Sequence, residues 1–351
     1  MSTYGTTRHN PNRDRVTDYH TTLFRRLIWD GTVPLEIRIN PKHLPANSER
    51  ALESYFIQAP RVSYLPLVLP EIRRFFADLV FDETGAKDIK DEDWWFENTD
   101  GVPLKWHWPL GLIYDNFTVS QSAKVPNPSS SAVMPMRLIL HLASPPTDKL
   151  LLSPSQEACK QAFMGQLKEA DFIRWGNTKR ITGLRQPEQD GLWEGIREHN
   201  FDDYWRVASK ITPASGPHRT QSPAQPPNSV SMHTRPPSAE PTGAPDKEAA
   251  YNVRNVPVRV YLPDGPVLQG PVPPMLDDAP NTLANYLSQQ IPLLFPPRPP
   301  GSHHRPAAGQ KELAHALIQG VPVPLDSEMA WLGVCMAGAD GWVNICVGLN
   351  H

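Results

Sequence analysis

Three cysteines in 351 residues are too few and too scattered for a disulfide framework. Cys159, Cys335 and Cys346 also lack the CxxC spacing of zinc and redox sites, which points to a reducing compartment. Each reads as a small buried apolar residue rather than a catalytic thiol. No GxSxG, HExxH, phosphate-binding glycine loop or Cys–His pair is present, so no catalytic motif supports an enzyme. Catalytic groups need not be adjacent in sequence, and an enzyme therefore stays as a competing reading. No metal or cofactor is expected; His303 and His304 lie in a proline-rich stretch and read as solvated.

Charge of one sign is also missing. With 34 Lys+Arg against 37 Asp+Glu, the net charge of -3 gives no global attraction to nucleic acid or to an anionic membrane. No window approaches the roughly 20 apolar residues of a membrane helix. Residues 1–15 are polar, with Arg8, Arg13 and Arg15 and no apolar core, unlike a secretory signal. The chain is expected to be cytoplasmic, with at most peripheral membrane contact.

Proline, by contrast, is abundant, at 40 residues, about twice the usual share of roughly 5%. Nine prolines between Pro213 and Pro245 sit among Ser, Thr and Ala with almost no large apolar residue, so 213–249 reads as a disordered linker. A second cluster from Pro292 to Pro306 reads as a long loop inside a folded domain. A chain of this length suits two or three cores.

Periodicity places the elements. A helix from Asp18 to Trp29 stops at Gly31, and Val33, Leu35, Ile37 and Ile39 then alternate with polar residues as a half-buried strand. Tyr55 to Ile57 is a second short strand. Leu65, Leu69, Ile72, Phe75, Phe76, Leu79 and Val80 recur at helical spacing, with Pro66 or Pro70 near the start. Asn98-Thr99-Asp100-Gly101 predicts a hairpin turn between Trp94–Phe96 and Val102–Trp106. A short helix, Leu110 to Phe117, a loop and a central strand, Met136 to Leu142, complete the first half.

The order repeats after the linker. Strands at Val256–Leu262 and Val267–Leu268, a helix at Thr282–Gln290, strands at Leu313–Ile318 and Val321–Val323, a helix at Glu328–Met336 and a strand at Trp342–Val347 follow one another. Between the halves, Ser153-Pro154-Ser155-Gln156 predicts a helix start and Gly176 its stop. Further helices span Glu188–Glu198 and, capped by Asn200, residues up to Ala208.

Several runs resemble the autophagy protein five family: LIWDGTVPLEIRI (Leu27 to Ile39), PRVSYLPLVLPEI (Pro60 to Ile72), WWFENTDGVPLKWHWPLGLIYDNF (Trp94 to Phe117), FMGQLKEADFIRWG (Phe163 to Gly176) and LWEGIREHNFDDYWRV (Leu192 to Val207). The resemblance implies an α+β fold of two ubiquitin-like (β-grasp) domains flanking a helix-rich domain. The expected divisions are a disordered 1–16, a helix at 17–30, a first ubiquitin-like domain at 31–145, a helix-rich domain at 150–211, the linker 213–249 and a second ubiquitin-like domain at 253–351. The stretches 121–133, 213–249 and 296–306 look like insertions.

The resemblance further implies a non-catalytic autophagy scaffold. Its acceptor lysine, Lys168 in the run FMGQLKEAD, would be conjugated by dedicated activating and conjugating enzymes to the ubiquitin-like autophagy protein twelve. A helix of the coiled-coil autophagy protein sixteen would lie between the two ubiquitin-like domains, near Arg61, Tyr64, Trp106, His107 and Gly111. The assembly would promote lipidation of autophagy protein eight at the preautophagosomal membrane. An unconjugated ubiquitin-like binding module is the alternative.

From the residues alone, Arg61 reads as a solvated charge, and the Trp-rich hairpin as mainly core, with one of Trp94 and Trp95 turned outward. Arg174, Lys179 and Arg180 belong to the most basic stretch outside the termini, an ordinary solvated face or a weak contact for anionic lipid. At about 100° per residue, Phe163, Leu167 and Ala170 share the buried stripe of their helix, and Lys168 faces away from it.

Overall fold

A computed structural model of the chain describes residues 11–44, 53–80, 93–124, 135–151, 155–214, 250–263, 265–297 and 312–350. Residues 1–10, most of the expected 213–249 linker (215–249) and most of the expected 296–306 loop (298–306) lie outside them.

The first half opens with α1 (Pro11–Trp29), which begins earlier than expected and makes residues 11–16 helical rather than disordered. β1 (Thr32–Ile39) buries all four of its alternating apolar residues. It pairs antiparallel with β2 (Tyr55–Pro60), and α2 (Leu65–Val80) follows. Next come β3 (Trp95–Asn98), α3 (Leu110–Lys124) and β4 (Met136–His141), which pairs parallel with β1 and antiparallel with β3. The sheet order is β2-β1-β4-β3.

Two expectations change here. The second arm of the Trp-rich hairpin does not form a strand. Asn98 turns the chain, its side chain accepting from the Asp100 and Val102 amides, but only one bridge, Glu97 to Pro103, follows. Pro103 has no N–H to continue the ladder. The α3 helix also runs on through residues 121–124, which were expected to be loop.

Four helices form the middle: α4 (Gln156–Trp175), α5 (Lys179–Thr182), α6 (Gln186–Arg197) and α7 (Phe201–Ala208). The cap of α4 is Ser155, not Ser153; its side chain accepts from the Ala158 amide. Gly176 ends the helix with a φ of 72°, a conformation that favours glycine. Asn200 caps α7 as its position predicts, accepting from the amides of Asp202 and Asp203.

In the second half, β5 (Val256–Tyr261) and β6 (Val267–Val272) form a hairpin. The small pair β7 (Met275–Leu276) and β8 (Ala279–Pro280), α8 (Leu283–Gln290), β9 (Ala314–Ile318), β10 (Val321–Pro322), α9 (Met329–Cys335) and β11 (Val343–Leu349) follow. Again the last strand pairs parallel with the first, β11 with β5, giving the order β10-β9-β11-β5-β6. The core arrangement β2-β1-β4-β3 therefore recurs as β6-β5-β11-β9, the grasp topology expected of both halves.

One apolar core fills the first sheet and the helices, and a second fills the last domain. A small third cluster, Leu112 and Val119 of α3 with Tyr261, Leu317 and Cys346, joins the first sheet domain to the second.

Candidate functional site

The buried stripe of α4 consists of Cys159, Phe163, Leu167, Ala170, Asp171 and Arg174. Lys168 lies off it and is exposed, as the helical geometry predicts. A side chain added at Gly165, nearly one turn before Lys168, would meet nothing within 4 Å, so the surface there is open. Phe172, one turn after Lys168, is 55% exposed. Lys160, on the same helix, is instead held by Asp190 at 2.8 Å.

The five residues expected at a partner groove differ in burial and in what they touch. Arg61 is buried rather than solvated. Its guanidinium pairs with Asp115 on α3 at 2.5 Å and donates to the Gly111 carbonyl at 3.2 Å. A Cβ on Gly111 would press on the Arg61 side chain at 2.9 Å, which explains a glycine at that place. Tyr64 is 2% exposed, and burial pushes its hydroxyl well above the usual tyrosine range. Trp106 is buried with its indole N–H on the Leu151 carbonyl at 3.0 Å. His107 is half-buried, and burial, then Lys105 and Arg259, lower its pKa to about 4. At Arg61, Asp115 and Gly320 the two ubiquitin-like domains touch directly: the Gly320 amide donates to Asp115 Oδ2 at 2.8 Å.

Of the basic residues, Arg174 is not at the surface. It is 6% exposed, donates to the Gly341 carbonyl, and burial lowers its pKa to about 10. Lys179 is exposed, and Arg180 lies over the Trp175 ring at 3.9 Å. Trp94 is buried and Trp95 half-buried against His141, the split that strand alternation predicts.

An exposed apolar strip on α1 has no counterpart in the sequence expectations. Leu23 and Leu27, one turn apart, are 41% and 60% exposed, and Phe24 beside them meets Trp331 of α9 edge-on. The opposite face of α1 is anchored: Arg25 Nε donates to the Val334 carbonyl at 3.0 Å, and Trp29 packs on Phe201 and Tyr204. The spacing Leu23/Leu27 was visible in the sequence, but the same i, i+4 pattern normally marks a buried face.

The three thiols are buried, and burial raises the pKa of each, that of Cys335 to about 11. Among the described residues no group of three His, Cys, Asp or Glu could hold a metal ion, and no helix is long and apolar enough to cross a membrane.

The fold thus defines a class of protein in which two ubiquitin-like domains flank an α-helical bundle. Family models give the same division: the UblA domain of autophagy protein ATG5 matches residues 28–142, its alpha-helical bundle region 156–214 and its UblB domain 255–347. The chain is 30% identical to autophagy protein 5 of Phaeosphaeria nodorum, over 93% of this chain and 97% of the relative. It is 29% identical to that of Penicillium rubens, over 92% and 96%. The crystal structure of Kluyveromyces marxianus Atg5 shares the fold at a TM-score of 0.64 and 21% identity, covering 93% of this chain and 99% of that one. The chain belongs to the autophagy protein 5 family.

Proposed function

We propose that this autophagy protein is a non-enzymatic scaffold joined through Lys168 to a second ubiquitin-like protein, the autophagy protein twelve of the family. The exposure of Lys168, beside the open surface at Gly165 and opposite a fully packed stripe, carries the reading. A conjugating enzyme would present the donor's C-terminal glycine as a cysteine thioester. The Lys168 amine, once its ammonium proton has left, attacks the thioester carbon. A C–N bond forms and the C–S bond breaks; the thiolate leaves, and the nitrogen sheds a second proton as it becomes an isopeptide. The chain's own buried thiols take no part.

The partner helix of autophagy protein sixteen is assigned to the α1 strip, since Leu23 and Leu27 offer the i, i+4 apolar face that an amphipathic helix covers. Near Arg61, where the groove was expected, the Arg61 and Asp115 side chains are already engaged in the contact between the domains. So assembled at the preautophagosomal membrane, the complex would promote lipidation of autophagy protein eight, with Lys179 and Arg180 as the remaining basic contacts.

Lys168→Arg keeps the charge and helix propensity and removes the nucleophile. In cells it should abolish the higher-mass adduct on a denaturing gel without changing the circular dichroism. An adduct that persists, with its branched peptide at another lysine, refutes the acceptor assignment; absence of any adduct on the wild-type chain favours the unconjugated binding module.

A further inference from the structure

Four contacts converge on Arg259 of β5. Its guanidinium lies 3.7 Å from the centre of the Trp342 ring, which is fully buried. Nε donates to Gln269 Oε1 at 2.9 Å, Nη1 to Gln166 Oε1 at 2.5 Å and Nη2 to Glu169 Oε2 at 3.1 Å. Trp342 adds a bond from its indole N–H to the Gln166 carbonyl at 3.2 Å. Gln166 and Glu169 bracket Lys168 on α4. The second ubiquitin-like domain therefore grips the one turn that carries the exposed lysine.

We propose that Arg259 is a positioning residue for acylation of Lys168. This rests on the acceptor reading above and adds to it: the acceptor site is built from two domains, α4 supplying the amine and the second ubiquitin-like domain fixing where that amine stands. A planar guanidinium stacked on a buried ring is a rigid fork, so its partners on α4 are held in direction as well as distance. Lys168 itself is exposed on the turn so held. A conjugating enzyme that spans both surfaces then meets the amine at a constant distance from the second domain, and misplacement of a reacting group by about 1 Å can cost on the order of 100-fold in rate.

The test is a reconstituted conjugation with the purified activating and conjugating enzymes and donor, in which the concentration of this chain is varied. Arg259→Met keeps an aliphatic cover over Trp342 and removes all the donors. A misplaced amine lowers kcat, whereas weaker docking or a partly unfolded acceptor raises KM. Arg259→Met is expected to lower kcat by about 10-fold or more with KM unchanged, scaled down from that misplacement penalty. Arg259→Lys, which can keep one of the bonds, should fall between. If Arg259→Met lowers the melting temperature, the double variant Gln166→Ala/Glu169→Ala removes the grip from the α4 side and should give the same loss of kcat. An unchanged kcat, or a rise in KM alone, overturns the proposal. Lys168→Arg in the same assay separates the two readings: an adduct that survives it refutes the acceptor, and an adduct lost there while Arg259→Met reacts at the wild-type kcat refutes only the positioning role.

Discussion

Arg61 and Asp115 meet at 2.5 Å with side chains only 8% and 6% exposed, and the same Asp115 oxygen receives the Gly320 amide across the domain boundary. One carboxylate thus ties the residue after β2, the helix α3 and the β9–β10 turn. Burial raises the pKa of Asp115, and the neighbouring Arg61 opposes that rise.

Removing one partner of such a pair leaves an uncompensated buried charge. Arg61→Ala should cost about 3–5 kcal/mol, while replacing both residues by Leu should recover much of the loss. Urea unfolding of the single and double variants gives the comparison. A single variant within about 1 kcal/mol of the wild type would show that the pair is solvated in solution.

His107 has a buried Nδ1 without a partner, and its pKa is lowered to about 4, first by burial and then by Lys105 and Arg259. The unfolded chain, with a histidine near ~6.5, takes up the proton first. The stabilisation is therefore complete above about 6.5 and is lost as pH falls from there to about 4. His107→Gln should flatten that part of the stability–pH curve. Parallel curves for the two proteins would mean that His107 titrates in the folded chain as it does in the unfolded one.

Leu27→Asp places a charge on the α1 strip without touching the anchored face that holds Trp29. Binding of the partner helix should weaken by at least about 10-fold, the loss expected when a buried interface anchor is replaced. Titration against the isolated helix, with circular dichroism as the control for folding, reads this out. Wild-type affinity would remove the strip from the interface.

Lys179 and Arg180 are the basic residues left for membrane contact once Arg174 is inside. Lys179→Glu should reduce co-sedimentation with anionic vesicles, and added salt should do the same to the wild-type chain. Binding that resists salt would point to apolar insertion instead.

Part of the fold was legible because alternation and helical spacing report directly on burial: β1, the stripe of α4 and the Asn200 cap of α7 lie where the pattern puts them. The outward direction of Lys168 followed from helix geometry alone. Arg61 and Arg174 were misread because charge predicts exposure only while no partner is known. Their partners, Asp115 and the Gly341 carbonyl, lie 54 and 167 residues away in the chain. The grip of Arg259 on Gln166 and Glu169 was hidden for the same reason, spanning 93 and 90 residues. The α1 strip was hidden for the opposite one, since an apolar face without a cover looks the same in sequence as one with it.

Both grasp domains are closed by the strand that comes last, β4 against β1 and β11 against β5. During synthesis, each first strand must therefore wait, with one edge unpaired, until nearly the whole of its domain has left the ribosome. A message cut short between the codons for Tyr261 and Val343 yields a chain whose β5 edge stays open and whose Leu112 and Val119 lose Cys346. Such fragments would be marked for chaperones or proteolysis by their own exposed sheet.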